Sequence, residues 1–154
     1  MNLETQLTLT RLLHHCARYL DDHKYNAFLQ LFADEGEYSI SCIAPELPEK
    51  MIWMQRTRHE LGERIKAMDE HEWEIARIDQ TRIISVDTMS VAENSASTST
   101  SFSLYHTDQD GRSKLFAVGR YEDQWECSVD SWLLTKREVA LKTRLLDMLS
   151  PLPI

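Results

Sequence analysis

RYLDDHKYNAFLQLFADEGEYSI, residues 18–40, changes its hydrophobic rhythm partway through, and the place of that change sets the fold. Upstream of it, Leu9, Leu12, Leu13, Cys16, Ala17 and Leu20 recur in steps of three and one, the spacing of one helical face. Asp21 and Asp22 interrupt that face, and Asp22 is placed to cap a second helix. Tyr25, Phe28, Leu29 and Phe32 carry the second apolar stripe. Ala33-Asp34-Glu35-Gly36 then reads as a helix stop, with Gly36 supplying a free backbone. From residue 37 the period becomes two, with Tyr38, Ile40 and Cys42 on one side of a strand. Residues 18–40 are therefore two short helices running into a strand. The expectation is that their aromatic side packs inward while Asp, His and Lys face water.

Working outward, IAPELPEK (43–50) carries two prolines and reads as a loop. Thr57 and Glu60 have capping-box spacing, and Leu61, Ile65 and Met68 give a third helix its inner stripe. From about Arg77 the chain reads as β. RIISVDTMSV (82–91) slips phase near Asp87, the mark of a bulge or bend. SASTSTSFSLYH (95–106) resembles a linker by composition. Its phase makes it a strand, because Ala96, Thr98, Thr100, Phe102 and Leu104 alternate with serines and Tyr105. DQDG (108–111) is a turn, 114–125 and 131–142 are two further long strands, and the proline-bearing tail LSPLPI is extended. Three helices followed by a hairpin-connected sheet predict a single α+β domain over residues 1–154. Its curved, mixed or antiparallel sheet wraps as a cone around the N-terminal helices.

Composition excludes several classes of function. A net charge of −8 disfavours a nucleic-acid surface, which needs clustered Lys and Arg. No apolar run has the length of a membrane span, and the first twenty residues lack a secretory signal. Cys16, Cys42 and Cys127 are odd in number and widely spaced, which fits buried or half-buried thiols in a reducing cytoplasm. Of the six histidines, His14 and His15 project about 100° apart on a helix, so they do not share an ion. His59-Glu60 and His71-Glu72 lack the second histidine of a zinc-protease motif, and His23 and His106 have no partner at metal-ligand spacing. No nucleophile elbow and no glycine-rich phosphate loop is present. The sequence therefore assigns no catalytic, cofactor-binding or metal-binding residue to this chain.

Proton transfer is the chemistry hardest to dismiss. A pocket base would come from Asp34, Tyr38, His14, His15 or His106. Such a pocket would make the chain a stand-alone lyase, cyclase or isomerase, or a binding module without turnover. A cone plugged by residues such as Trp53, Phe28 and Met89 would argue against the enzyme, while a binding module would show ligand stabilisation without product. Arg120, Glu122, Asp123 and Arg137, with Tyr121, Trp125 and Trp132, read as a wet protein interface, given the enrichment of Arg, Tyr and Trp at binding hot spots.

Taken in order, FLQLFADEGEYSI, ERIKAMDEHEWEIARIDQTRIISV, FAVGRYEDQW, WLLTKREVALKTRLL and the PLPI tail resemble the small (β) subunits of Rieske non-haem iron aromatic-ring-hydroxylating dioxygenases. The length and tail look most like small subunits of enzymes acting on aromatic carboxylates. The resemblance implies a SnoaL-like, ketosteroid-isomerase-like (cystatin-like) fold and a mainly structural role. It also implies a large (α) partner subunit carrying a Rieske [2Fe-2S] cluster and a mononuclear Fe(II), in a hexamer of three large and three small subunits. Where many relatives have asparagine after the SV of the first long β segment, this chain has Asp87.

Overall fold

The computed structural model describes residues 2–70, 78–129, 131–146 and 153–154. Among these residues, three helices and six strands follow one another as α1 (Leu3–Asp21), α2 (Tyr25–Leu29), β1 (Phe32–Cys42), β2 (Met51–Thr57), α3 (Arg58–Glu70), β3 (Asp79–Val91), β4 (Ser95–Thr107), β5 (Ser113–Cys127) and β6 (Trp132–Leu141). His71 and residues 149–152 of the tail lie outside the described residues. No helix among the described residues is long and apolar enough to cross a membrane.

Helix α1 starts where Asn2 accepts a hydrogen bond from the Glu4 N–H at 2.9 Å, which satisfies one of the first-turn donors. Its inner face is the expected stripe: Leu9, Leu13, Cys16, Ala17 and Leu20 are buried, and Leu12 packs partly against them. Asp22 does not cap α2. Its N–H donates to the Arg18 carbonyl and its carboxylate accepts from Arg18 Nε at 3.0 Å, so it closes α1. His23 then takes a left-handed φ of 57°, and α2 opens at Lys24 without a side-chain cap.

The predicted helix stop at residues 33–36 is a strand instead. Phe32 begins β1, and the β1–β6 register jumps between Phe32 and Glu37. Gly36 sits in that irregularity, where an added Cβ would lie 2.9 Å from the Ala33 carbonyl oxygen and 3.0 Å from that of Leu134. The glycine is required by close backbone approach, not by a helix end. Strand β2 had no counterpart in the sequence reading. Among the described residues it is an edge strand paired with β1; Met51, Ile52 and Trp53 are exposed while Met54 and Arg56 are half-buried, so its burial is not matched by an apolar–polar alternation in the sequence.

The capping box, the inner stripe of α3, the phase slip in β3, the β4 alternation and the 108–111 turn are as expected. Thr57 and Glu60 make the capping box: the Glu60 N–H donates to Thr57 Oγ1, and that hydroxyl donates to Glu60 Oε1, each at 3.2 Å. Leu61, Ile65 and Met68 are buried. The β3–β4 register shifts between Val86 and Thr88, at Asp87. In β4, Ala96, Thr98, Thr100, Phe102 and Leu104 all point inward. Gly111 closes the 108–111 turn with φ +80°, a conformation glycine adopts freely.

The six strands form one sheet in the order β2-β1-β6-β5-β4-β3. Every neighbouring pair is antiparallel except β1 and β6, which run parallel. The sheet is thus a β3–β6 meander joined to a β1–β2 hairpin through one parallel seam. Helix α1 packs on β3, while α3 packs on β1 and β2 at the opposite end of the sheet, with α2 between the helices. The volume between sheet and helices is the core, and it is there that a pocket would have to lie.

Candidate functional site

The interior is not purely apolar. On β6, Arg137 shares its phase with Val139 and Leu141; on β5, Asp123 shares its phase with Tyr121 and Trp125. Alternation therefore turns both charged residues inward, and the antiparallel register sets them opposite each other. Arg137 Nε donates to Asp123 Oδ1 and Arg137 Nη2 to Asp123 Oδ2, both at 2.8 Å, with side chains only 1% and 0% exposed. The Arg137 guanidinium also stands 4.2 Å from the centroid of the Tyr121 ring. Burial works against the charge on Arg137, but Asp123 overcomes it and holds the guanidinium protonated, above its ordinary range. Burial pushes the Asp123 carboxyl up while Arg137 pulls it back. Nearby, burial raises the Cys16 thiol to about 11, which leaves it unreactive.

A second ion pair ties the helices to the sheet. Arg82 Nη1 donates to Asp21 Oδ1 at 2.7 Å, and the Arg82 backbone N–H donates to Asp21 Oδ2 at 3.0 Å. Asp21, at the end of α1, is thus bound to a buried cation and does not simply face water as expected. Arg82 Nη2 donates to the carbonyl of Pro153 at 3.0 Å. The buried Tyr38 hydroxyl accepts from the Ile154 N–H at 2.8 Å. Burial raises the Tyr38 phenol above its ordinary value and keeps it protonated.

The candidate pocket bases have separate surroundings. Asp34 is fully exposed, pairs with Arg58 at 3.0 Å, and borders a wide surface depression with Asn26, His59 and Glu63. His14 and His15 lie on the exposed side of α1. His106 is half-buried, its ring stacked on Phe116 at 4.1 Å. Tyr38 alone is inside. Of the expected plugs, Phe28 is fully buried and Met89 packs on the core, but Trp53 is 41% exposed on β2.

The reading of Arg137, Asp123, Tyr121, Trp125 and Trp132 as an interface is overturned. All five are buried within the chain, and Trp125 Nε1 donates to Thr98 Oγ1 at 3.0 Å. Only Arg120 and Glu122 of that group face outward: Glu122 accepts from Ser99 at 3.0 Å, and Arg120 lies 3.8 Å from Asp87. Asp87 also accepts from the Ser101 hydroxyl. Cys127 is exposed, against the expectation of three buried or half-buried thiols. Among the described residues, no three His, Cys, Asp or Glu side chains gather closely enough to hold a metal ion. The internal ion pairs went unread because residue type pointed to a wet interface, although strand phase already placed Asp123 and Arg137 inside.

Comparison with known proteins follows the same lines. Residues 1–138 match the SnoaL-like domain. Over 146 residues, 88% of this chain and 79% of the relative, the chain is 30% identical to the beta subunit of methanesulfonate monooxygenase hydroxylase from Methylosulfonomonas methylovora. It is 23% identical over 148 residues, 96% of this chain and 98% of the relative, to the beta subunit of 2-aminobenzenesulfonate 2,3-dioxygenase from an Alcaligenes species. Among solved structures, a protein assigned as the beta subunit of an aromatic-ring-hydroxylating dioxygenase from Novosphingobium aromaticivorans superposes with TM-score 0.80 at 19% identity, covering 97% of both chains. Naphthalene 1,2-dioxygenase gives 0.77 at 20% identity, covering 96% of this chain and 83% of that one. The structural likenesses show the α+β fold; the sequence matches carry the kinship, and on them the chain belongs to the SnoaL-like domain family as a homologue of oxygenase beta subunits.

Proposed function

We propose that this chain, as one domain over residues 1–154, is the small, mainly structural beta subunit of a multicomponent ring-hydroxylating dioxygenase. It supports a larger catalytic subunit in the hydroxylation of an aromatic compound. The observation that carries the reading is that the inward-facing acids are held in ion pairs. The buried acid that could act as a pocket base, Asp123, is held by Arg137, and Asp21 is held by Arg82. The names of the relatives support it, because both are beta subunits of oxygenases. The stand-alone lyase or isomerase is not favoured, since Asp34, His14 and His15 lie at the surface.

The finer reading is that the large subunit carries a Rieske [2Fe-2S] cluster and a mononuclear Fe(II), which supply the oxygen chemistry. Three large and three small subunits would assemble around a three-fold axis in the cytoplasm. This chain's part is shape and contact area. Ile43, Ile52 and Trp53, at and beside the β2 edge, are 70%, 56% and 41% exposed, and the large subunit would cover them. The substrate we propose is an aromatic compound bearing an acid group. The sequence resemblance points to a carboxylate, and the two relatives are named for sulfonates.

Co-expression with the cognate large subunit tests the proposal. The two chains should elute together on gel filtration, with iron and hydroxylation present in the complex and absent from the small chain alone. Separate elution, or turnover of an aromatic acid by the purified small chain, would sink it.

A further inference from the structure

Two residues of the chain occupy its own interior as a ligand would. Pro153 and Ile154 are both buried, Ile154 to 3% exposure. They are held by polar contacts to side chains more than seventy positions upstream. Arg82 Nη2 donates to the Pro153 carbonyl at 3.0 Å, and Tyr38 Oη accepts from the Ile154 N–H at 2.8 Å and donates to the Ile154 carbonyl at 3.4 Å. Both clamping groups are themselves fixed. Arg82 is locked by Asp21 at the end of α1, and Tyr38 stands on β1 with no exposed surface. Hydrogen bonds made to a docked backbone by buried side chains recognise an amide or carboxyl group whatever chain it belongs to.

The clamp also has capacity left over. Among the described residues, Arg82 Nε and Tyr121 Oη are buried and have no aligned hydrogen-bond partner. Arg82 acts electrostatically on the phenols of both Tyr38 and Tyr121 and lies within hydrogen-bonding reach of Tyr121, so the three belong to one cluster, although no aligned bond satisfies Arg82 Nε or Tyr121 Oη. Unused donors in such a place are costly to bury. They would be satisfied by an occupant with more acceptor oxygens than the docked backbone offers.

We infer that Tyr38, Arg82 and Tyr121 form a latent internal binding site for a carboxyl- or amide-bearing molecule with a branched aliphatic group, occupied in this chain by its own Pro153–Ile154 segment. The occupant seals the interior and links the far end of the chain to β1 and β3. A free ligand of the same chemistry competes with it, and the segment's tethering gives it an effective concentration in roughly the millimolar range.

Amide exchange of the full chain, read by NMR at Ile154, tests this with acetyl-Pro-Ile as the probe. The Ile154 N–H should exchange at least about 100-fold more slowly than in an unfolded peptide, and Tyr38→Phe should remove most of that protection while the strand amides stay protected. Acetyl-Pro-Ile at about 10 mM should speed Ile154 exchange several-fold by displacing the segment. A chain ending at residue 152 should bind acetyl-Pro-Ile saturably if it folds, and lose that binding with Tyr38→Phe. Ile154 exchange at the unfolded rate would overturn the docked segment. A protected Ile154 whose exchange ignores the probe would overturn the binding site.

Discussion

Replacing Asp123 with Asn is the sharpest perturbation the structure offers. The two side chains have nearly the same shape, so no cavity opens and the change reads out charge. In the native chain the Arg137 guanidinium makes two 2.8 Å bonds to Asp123 with both side chains at most 1% exposed. An Asn there keeps one acceptor but turns an amide N–H₂ toward Arg137 Nη2, and among the described residues Arg137 Nη1 has no aligned hydrogen-bond partner. Breaking a buried pair from one side typically costs about 3–5 kcal/mol, because the remaining charge is uncompensated. At about 2–4 °C per kcal/mol for a domain of this size, Tm should fall by roughly 6–20 °C. Urea unfolding followed by circular dichroism measures the loss directly. Asp22→Asn, which removes the exposed pair with Arg18, should stay within about 1 kcal/mol. The double variant Asp123→Leu with Arg137→Met should recover most of the loss, since apolar replacement of both partners of a buried pair is often neutral or better. A loss below about 1 kcal/mol for Asp123→Asn would refute the reasoning, for it would mean that water reaches the pair.

Three further outcomes follow from the packing. At pH 8 a thiol reagent should label only Cys127 rapidly, because Cys42 is buried and burial raises the Cys16 thiol to about 11; all three should react in guanidinium, and a second fast thiol in the native chain would contradict the described core. Although burial opposes it, Glu138 is held below the ordinary 4.5 by Lys50 at 2.6 Å and Ser41 at 2.9 Å. Its folded value lies below its unfolded one, so its stabilisation is present above pH 4.5 and lost as pH falls through the folded value; Glu138→Gln should lose less stability than wild type as pH falls below 4.5, and equal losses would count against the assignment. Gly119→Ala should cost at least about 1–3 kcal/mol in urea unfolding, because the new Cβ would lie 2.5 Å from the Ala140 carbonyl oxygen; a neutral result would mean β5 and β6 do not approach so closely.

Most of the architecture was legible in sequence because it rests on phase. The alternation of Ala96 through Leu104 against serines identified β4 despite a composition that suggests a linker, and the slip at Asp87 located the bulge in β3. The elements that escaped lack a periodic signal. β2 exposes Met51, Ile52 and Trp53 at an edge, so burial imposes no pattern on them. Gly36 looked like a helix stop because a close carbonyl contact from Leu134, ninety-eight positions away in the chain, leaves no local trace. The interior was misjudged for a different reason. Residue type argued that Arg137 and Asp123 were wet, while strand phase argued that they were inside, and phase was the better guide. Tyr38 was singled out, but its partner Ile154 lies 116 residues on, beyond anything spacing can show.

The parallel seam between β1 and β6 has a consequence for how the chain is made. The β1–β2 hairpin and the β3–β6 meander can each close from neighbouring sequence, but β1 has nothing to join on its second side until residues 134–141 have left the ribosome. Through most of synthesis the nascent chain must carry Tyr38, Ile40 and Cys42 on an unzipped border, where a stray strand could anneal to it. Completion of the sheet must wait for β6 to emerge, and the waiting interval is when this polypeptide is most vulnerable to aggregation.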